Sequence, residues 1–350
     1  MSQLQKGKKQ KISLLKEPKK LADESSFTFI LRTLLKHSPF YVSGTVFSKQ
    51  LNISRVGIWS KINKLRQEGI KIEATQNRGY RIAEEPKKTN IHLLKAWMNL
   101  LNNNHNVHLH ESIKSTNSEA ERLLAIGEGA PFAVLTNYQT EGRGRHGKKW
   151  VCPKNGNINL SFASRPNVNF TQLRTLTLWL GIDVVKLLRK ITGSNNIKIK
   201  WPNDIVIDDR KIGGVLTEAS IDCENVKSLV IGIGINCNST RSDFPSPLTD
   251  TISSLKEISG RQISINEISA KLLVSIQNSL DKLIDRLDSK KLLNDWNKLD
   301  ALFNKRIQVI NGKNKIAGVA QGIDNDGNLL LKLKNGEVKK VNSGDTSIQK

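Results

Sequence analysis

A chain of 350 residues, of which 37% are hydrophobic, is too long for one compact core and apolar enough to build two or three. No apolar run approaches the roughly eighteen residues of a membrane-spanning helix, and none follows the lysine-rich N-terminus as in a secretion signal. Cys152, Cys223 and Cys237 are isolated in the sequence, which argues against a disulfide framework or a cysteine-bound metal. We therefore expect a cytoplasmic protein that does not associate with membranes.

Basic residues outnumber acidic ones by 55 to 32, which gives a net charge of +23. Residues 1–85 contain 17 Lys and Arg against 7 Asp and Glu, so +10 of the excess lies in the first quarter of the chain. Such a charge attracts polyanions such as nucleic acids. The alternative is a lysine-rich proteome that makes every surface basic. Residues 1–24 are predicted to form a mobile basic tail.

Three short helices and a hairpin are predicted next. The first two helices lie at 27–37 and 45–52, and the third begins after Ser54, a favourable N-cap, and stops near Gly69. Two short alternating segments, IKIEAT and GYRIA, then predict a pair of strands. This order is that of a winged helix-turn-helix, which we assign to residues 25–86.

The third helix of such a domain lies in the major groove of DNA, and the wing contacts phosphate or the minor groove. The residues predicted to contact DNA are Ser54, Arg55, Ser60, Lys64 and Arg78. The competing interpretation is a small helical domain that binds another protein. The local excess of positive charge favours DNA.

The stretch GRGRHG, Gly142 to Gly147, matches the G-x-G-x-x-G pattern of dinucleotide-binding proteins. That pattern cradles a pyrophosphate where a strand precedes it and a helix opens directly after it. A buried strand is predicted before it, but the segment after it contains Pro153 and has no helical period. We interpret it as a mobile cationic loop, with Arg143 and Arg145 between the glycines, that closes over an anion.

The segment STNSE, which begins at Ser115, precedes a predicted helix. The spacing Thr116-x-x-Glu119 is that of a capping box. Taken alone, these residues start a helix and do nothing more.

Further features interrupt the strands predicted after it. IKIKWPNDIVI is an alternating strand broken at Trp201–Asp204, which by itself is an ordinary turn. Gly213 and Gly214 interrupt the next strand. In the strand LVIGIGIN, Gly232 and Gly234 stand where bulky Val or Ile side chains would be expected. Glycines inside strands indicate that another backbone or a ligand approaches closely.

The last fifty or so residues predict about five short strands. Turns are expected at Asn311-Gly312, Asp326-Gly327 and Asn335-Gly336. The pattern is typical of a small SH3-like barrel, which we place at 303–350.

GRGRHGKKW, KWPNDI, DRKIGGVLTE and IGIGIN, in this order, closely resemble the motifs of the biotin–protein ligase family. STN and Gln139 are similar to the entrance of that family's biotin site, and the resemblance continues through WNKLDALFNKRIQV to the last strands. With the winged helix, the organisation resembles the bifunctional branch, which combines ligase and biotin-operon repressor. It implies a multidomain α+β fold, whose mixed-sheet ligase domain of the class II synthetase and lipoate-ligase type occupies 90–300.

The resemblance implies a two-step reaction that consumes ATP. The carboxylate of biotin attacks the α-phosphate to give biotinyl-5′-adenylate and pyrophosphate, and a lysine of the biotin carboxyl carrier protein of acetyl-CoA carboxylase then displaces AMP. It assigns retention of the adenylate to Arg145 and bridging of carboxylate and α-phosphate to Lys211. Asp204 is a candidate base or orienting group for the acceptor lysine. Mg²⁺ is expected on the phosphates of ATP and not in a dedicated protein site.

Biotin is mostly apolar with a polar ureido ring, so its pocket needs small residues and a few fixed hydrogen bonds. The residues expected to bind biotin are Ser115, Thr116, Asn117, Gln139, Gly142, Arg143, Gly144, Arg145, Lys211, Gly214, Gly232 and Gly234. Those expected to bind ATP or the adenylate are Arg143, Arg145, Trp150, Asn203, Asp204, Lys211 and Asn236. Trp150 is a wall of the site or a core residue.

In the bifunctional family members, ordering of this loop by the adenylate promotes homodimerisation and binding to a two-fold operator, and the resemblance extends this expectation to the present chain. Three features depart from the family pattern. His146 stands where a further arginine is usual, and Gln349 stands where an arginine is common near the C-terminus. Residues 242–255, which should fold over adenine, match the family in outline alone.

Two rival functions come from different classes. One is a lipoate–protein ligase, a relative of similar architecture. The other is a winged-helix transcription factor that senses a ligand without catalysis, for which the set Arg145, Lys211 and Asp204 would be unnecessary.

Overall fold

The computed structural model describes residues 19–154, 156–169, 173–223, 225–284 and 288–349. Residues 1–18, which make up most of the predicted basic tail, lie outside the described part. Within these ranges, no helix is both long enough and apolar enough to span a membrane.

The N-terminal module consists of three helices followed by a hairpin, as predicted. Its elements are α1 (Ser26–His37), α2 (Gly44–Leu51), α3 (Arg55–Gln67), β1 (Lys71–Thr75) and β2 (Gly79–Glu84). The Ser54 hydroxyl caps α3 by accepting a hydrogen bond from the Gly57 amide at 3.1 Å. Gly69, at φ +91°, adopts the left-handed backbone that lets the chain leave this helix.

Helix α4 (Ile91–Leu100) contributes to two hydrophobic cores. Leu93 and Ala96 pack into the core of the N-terminal module, whereas Leu94 and Met98 pack into the core of the central domain. Because both groups are fully or almost fully buried, α4 fixes the module against the central domain.

A seven-stranded mixed sheet forms the central domain. Its strands are β3 (Asn106–His110), β4 (Phe132–Thr136), β5 (Ile158–Ser164), β6 (Lys198–Lys200), β7 (Asp204–Ile207), β8 (Arg210–Asp222) and β9 (Asn225–Ile235). Across the sheet they run in the order β3-β4-β5-β9-β8-β7-β6. β3 and β4 are parallel, and the other neighbours are antiparallel. The helices of this domain are α5 (Thr116–Ala125), α6 (Leu176–Thr192), α7 (Leu255–Ser259), α8 (Ile265–Ile284) and α9 (Ser289–Asn297).

A second, antiparallel sheet follows at the C-terminus. It contains β10 (Arg306–Asn311), β11 (Asn314–Ile323), β12 (Leu329–Lys332), β13 (Val338–Val341) and β14 (Asp345–Ile348). The order is β13-β12-β11-β10-β14. The predicted turns are confirmed, since Gly312, Gly327 and Gly336 all have positive φ. Among the described residues β13 and β14 are the free edges of this sheet, so a closed SH3-like barrel is not confirmed.

The C-terminal sheet packs onto the central domain. Ile307, Leu329 and Leu331 are fully buried and belong to the same core as the central strands. This packing places the start of β14 beside the loop that follows β4, as described below.

A buried ion pair joins the N-terminal module to α4. Arg32 donates two hydrogen bonds to Glu24, both at 2.7 Å, and Asn99 of α4 donates a third at 3.0 Å. Burial raises the pKa of the Glu24 carboxyl, but hydrogen bonds from Arg32, the Leu21 amide and Asn99 outweigh burial. The pKa therefore lies below its ordinary value of 4.5.

We expect Glu24→Gln to lower the free energy of unfolding of this module by about 3 kcal/mol, because Arg32 then loses its buried counter-charge. Since the folded pKa is lowered, the contribution of Glu24 is present above pH 4.5 and disappears as the pH falls through the folded value. Urea unfolding at pH 7 and at acid pH measures both effects. Glu73→Gln, which breaks the exposed pair of Glu73 with Arg81, is the control. Equal losses in the two variants would contradict the prediction.

Candidate active site

A cavity of about 330 Å³ lies between the central sheet, the GRGRHG loop and the start of β14. The sequence-predicted residues that line it are Ser115, Thr116, Asn117, Gln139, Arg143, Gly144, Arg145, Trp150, Asn203, Asp204, Lys211, Gly214, Gly232 and Gly234. Gly142 and Asn236 are not in its lining. The structure therefore brings together predicted residues that are up to 119 positions apart in the chain.

The polar floor of the cavity is built at the start of α5. Gln139 accepts hydrogen bonds from the Thr116 amide at 2.7 Å and from its hydroxyl at 3.1 Å. The Ser161 hydroxyl oxygen lies 2.7 Å from the same threonine oxygen. The N-cap of α5 is Ser115, so the capping-box interpretation of Thr116-x-x-Glu119 is wrong. The threonine hydroxyl donates to the Gln139 side chain instead of capping the helix.

The strand glycines provide room for side chains of the site. A Cβ on Gly232 would lie 2.3 Å from the Asn117 side-chain oxygen, and one on Gly234 would lie 2.6 Å from the Trp150 ring. No real Cβ tolerates such distances. Trp150 is half-buried and donates its indole N–H to Asn159 at 3.3 Å. The structure thus places Trp150 as a wall of the cavity.

The GRGRHG stretch forms a tight turn and not the start of a helix. The Gly144 amide donates to the Lys148 carbonyl at 2.7 Å, and His146 and Gly147 have φ of +53° and +72°. Among the described residues between this turn and β5 no helix begins, which excludes the dinucleotide-binding geometry. Gly142 is required by packing, since its Cβ would lie 2.4 Å from the Trp150 carbonyl oxygen.

The two arginines of the loop have different surroundings. Arg143 forms ion pairs with Glu121 at 2.9 Å and with Glu218 at 2.5 Å. Arg145 is half-buried, and within the described residues no carboxylate lies at ion-pair distance from it. Burial lowers the pKa of Arg145, although the more distant Asp345 opposes this shift. Its guanidinium is therefore a desolvated cation available to an anion in the cavity.

Lys211 and Asp204 form an ion pair of 2.6 Å on the cavity wall. The backbone of Lys211 is held by the segment predicted to cover adenine, since its amide donates to Thr251 at 2.8 Å and its carbonyl accepts from Ser253 at 2.9 Å. The Lys211 ammonium also lies 5.6 Å from the centre of the Trp150 ring. The position of this lysine is thus fixed by three separate parts of the chain.

Several residues of the cavity were not foreseen from the sequence. Asn159, Lys200, Asp345 and Thr346 all line it. Burial lowers the pKa of the Lys200 ammonium. The Thr346 hydroxyl donates to the Trp201 carbonyl at 3.0 Å, which anchors β14 at the site. Lys200 stands directly before the WPND turn, and that position is the one sequence signal that pointed to it.

The cavity carries a large excess of positive charge. Its lining includes six cations, Arg143, Arg145, Lys148, Lys149, Lys200 and Lys211, and two carboxylates, Asp204 and Asp345. Six minus two leaves an excess of four positive charges. Such a cluster is suited to a polyphosphate, whose charge it neutralises at close range.

The remaining predicted residues lie near the cavity or at its margin. Asn236 is buried and donates to the Ser253 carbonyl at 3.2 Å, while its side-chain oxygen accepts no hydrogen bond among the described residues. Gln349 accepts a hydrogen bond from Arg306 at 3.2 Å. His146 is exposed in the turn. Within the described ranges, no group of three or more potential metal-ligating side chains occurs.

The residues predicted to contact DNA share one surface property. All of them are exposed, namely Ser54, Arg55, Ser60, Lys64 and Arg78. The Arg78 guanidinium lies 4.7 Å from the centre of the Tyr41 ring at the wing. Sequence analysis did not single out Val56 and Trp59, which are 74% and 56% exposed on α3 beside these residues.

Three family profiles match successive parts of the chain. Residues 28–81 match an HTH domain, residues 109–236 match the biotin/lipoate A/B protein ligase family, and residues 302–348 match the biotin protein ligase C-terminal domain.

Relatives are similar over most of the chain. The bifunctional ligase/repressor BirA of Bacillus subtilis strain 168 is 31% identical over 88% of this chain and 94% of that protein. The protein of the same name from Escherichia coli K12 is 31% identical over 91% of this chain and 96% of its own length. A solved biotin protein ligase from Aquifex aeolicus, in complex with biotin and ATP, is 30% identical with a TM-score of 0.59. The match covers 70% of this chain and 98% of that one. On this similarity, the chain belongs to the family of bifunctional ligase/repressor proteins of the BirA type.

Proposed function

We propose that this protein is an ATP-dependent biotin–protein ligase that also represses transcription. It activates biotin to biotinyl-5′-adenylate and transfers biotin to a lysine of the biotin carboxyl carrier protein of acetyl-CoA carboxylase. The observation that carries the proposal is a single cavity in which the polar floor of Thr116 and Gln139 faces a cluster of cations. A relative solved in complex with biotin and ATP supports it.

The first step brings two anions together. The carboxylate of biotin attacks the α-phosphate of ATP, a bond to pyrophosphate breaks, and negative charge builds on both fragments. Arg145 has no carboxylate at ion-pair distance among the described residues, and the backbone of Lys211 is held by residues 251–253. These two cations stabilise the charge where it develops. Trp150 shields the reacting groups from water, which would otherwise hydrolyse the mixed anhydride.

The second step requires a neutral amine. The acceptor lysine loses its proton and attacks the activated carbonyl, and AMP leaves with the bonding electrons. Asp204 lies on the cavity wall and is the carboxylate best placed to accept or orient that proton. Its ion pair with Lys211 at 2.6 Å holds it at the wall of the cavity that the adenylate would occupy.

Mg²⁺ is proposed to bind together with ATP. An ion of this kind is held through phosphate oxygens, water and one or two carboxylates, and it supplies charge neutralisation. Asp204 and Asp345 are the carboxylates of the cavity lining that fit such an ion. Both already pair with a lysine, Lys211 and Lys148 respectively.

Arg145→Ala and Lys211→Ala are each expected to reduce biotin-dependent ATP–pyrophosphate exchange by about 10²- to 10³-fold, because each removes a fixed cation from the transition state. Lys186→Ala, which breaks a surface pair with Asp295, is the matched control and should keep wild-type exchange. Exchange rates within a factor of about three of wild type in both site variants would refute the assigned roles. Circular dichroism checks that the variants are folded.

Repression is proposed to require a homodimer, because two winged helices must reach two half-sites of an operator. Strand β8 offers a surface for pairing. Its residues 210–214 pair with β7, whereas within the described part of the chain residues 216–222 pair with β9 alone. This free edge lies beside the GRGRHG loop through the contact of Glu218 with Arg143. An unpaired strand edge is a template for a second chain.

Ala219→Lys places a positive charge on this exposed edge. In a two-fold dimer that pairs along the edge, the same charge on the second chain would repel it. We expect sedimentation to show a dimer of the wild-type protein with biotin and ATP, and about tenfold weaker dimerisation of the variant. Ala317→Lys, at an exposed position of β11, is the control. The variant should also bind operator DNA more weakly at equal protein concentration. Undiminished dimerisation of Ala219→Lys would exclude this edge as the interface.

The domain boundaries and the type of C-terminal domain are also proposed. The domains are placed at 25–86, 90–300 and 303–350, and the C-terminal domain is proposed to be SH3-like. A reaction that consumes ATP and modifies a subunit of acetyl-CoA carboxylase belongs in the cytoplasm, where both are found.

A further inference from the structure

One acidic side chain connects the GRGRHG loop to the floor of the cavity. Glu218, on β8, accepts a hydrogen bond from the Asn117 side-chain amide at 2.6 Å with one oxygen. Its other oxygen accepts from Arg143 at 2.5 Å. Asn117 and Arg143 both line the cavity, whereas Glu218 does not. The carboxylate therefore lies outside the cavity lining and connects two residues of that lining.

The contact with Asn117 fixes the orientation of that side chain. A carboxylate accepts hydrogen bonds and donates none, so the amide nitrogen must point to Glu218. The amide oxygen then faces Ser161, whose hydroxyl donates to it. The same oxygen sits over Gly232, where a Cβ would lie 2.3 Å away. The hydrogen-bonding face that Asn117 presents to a ligand is thus set by Glu218.

The contact with Arg143 holds the loop. Arg143 also donates to Glu121 at 2.9 Å and to the Ser118 hydroxyl at 3.2 Å, both on α5. Its guanidinium is occupied by protein groups. The guanidinium of Arg145, two residues further along, donates among the described residues only to the Gly344 carbonyl, at 3.4 Å. The side chains of Arg143 and Glu218 are 38% and 27% exposed, so water screens the pair in part.

We propose that Glu218 is a positioning residue that latches the closed loop to the biotin-binding floor through Arg143 and Asn117. In this arrangement Arg145 contacts the adenylate, while Arg143 acts as the anchor that keeps Arg145 in place. The proposal rests on the proposed ligase function and extends it, because it assigns a role to a residue outside the cavity lining. It also divides the two loop arginines between ligand binding and loop retention.

Loss of the contacts of Glu218 should affect ligand binding and the rate of adenylation differently. Glu218→Gln removes the charge that holds Arg143 and leaves one amide oxygen to accept from two donors. We expect the KM for biotin to rise about tenfold and the adenylate to leave the enzyme about tenfold faster. The single-turnover rate of adenylation at saturating biotin and Mg·ATP should change by less than about threefold, because Arg145 and Lys211 are intact.

Glu121→Gln separates the two arms of the latch. It removes one carboxylate from Arg143 without touching Asn117, so adenylate release should accelerate while the KM for biotin stays at the wild-type value. Glu119→Gln is the matched control. Glu119 lies on the same helix and pairs with a different arginine, Arg122, at 2.7 Å, and its variant should behave as wild type in both assays.

The experiment forms the adenylate from biotin and Mg·[α-³²P]ATP on the full chain and follows its loss from the protein on filters after an unlabelled chase. Faster release from Glu218→Gln and Glu121→Gln, with unchanged Glu119→Gln, supports the latch. Release from Glu218→Gln at the wild-type rate would overturn it, and so would a fall in the adenylation rate at unchanged KM. If the wild-type protein forms no adenylate, the proposed function fails and the latch fails with it. Adenylate formation with no effect of Glu218→Gln rejects the latch alone.

Discussion

The site depends on holding six cations around one small cavity in a folded chain. Like charges at this density repel one another, and burial of Arg145 and Lys200 adds a desolvation cost that lowers both of their pKa values. Carboxylates at selected positions offset this cost. Asp204 and Asp345 pair with lysines inside the cavity, whereas Glu218 pairs with Arg143 from behind it. What is left is an excess of positive charge aimed at the cavity, which an anionic ligand would neutralise.

Close packing against glycine makes the same site compact. Asn117 and Trp150 occupy the space that side chains at Gly232 and Gly234 would need, so the polar floor and the aromatic wall both rest on the central sheet. The C-terminal sheet completes the arrangement by bringing Asp345 and Thr346 to the opposite side. The central and C-terminal domains therefore both contribute residues to the cavity.

Local signals were sufficient to predict most of the fold. Ser54 caps α3, the predicted glycine turns of the C-terminal sheet occur, and the absence of a helix after GRGRHG correctly excluded a dinucleotide site. These features depend on neighbouring residues. Motif order was also sufficient to bring together most of the cavity lining. The closed barrel, which depends on pairing between distant strand edges, is not confirmed by the strand order.

Contacts between distant segments could not be predicted in the same way. Nothing in the local sequence shows that Thr116 bonds to Gln139 instead of capping its own helix, or that Arg143 meets Glu218 some seventy-five positions away. The unforeseen Asp345 and Thr346 lie in a different domain from the other lining residues. In each case tertiary packing selects one partner among several that the local sequence allows.

Acid specificity tests most directly whether this cavity activates biotin. The wild-type protein would be incubated with Mg·[α-³²P]ATP, pyrophosphatase and biotin, lipoate or neither acid, and the products examined for an acid-labile labelled adenylate. We expect adenylate with biotin and none in the other two reactions. Adenylate with lipoate in place of biotin would contradict it in favour of a lipoate–protein ligase. No adenylate with either acid, from folded protein, would leave a ligand-sensing transcription factor as the better account.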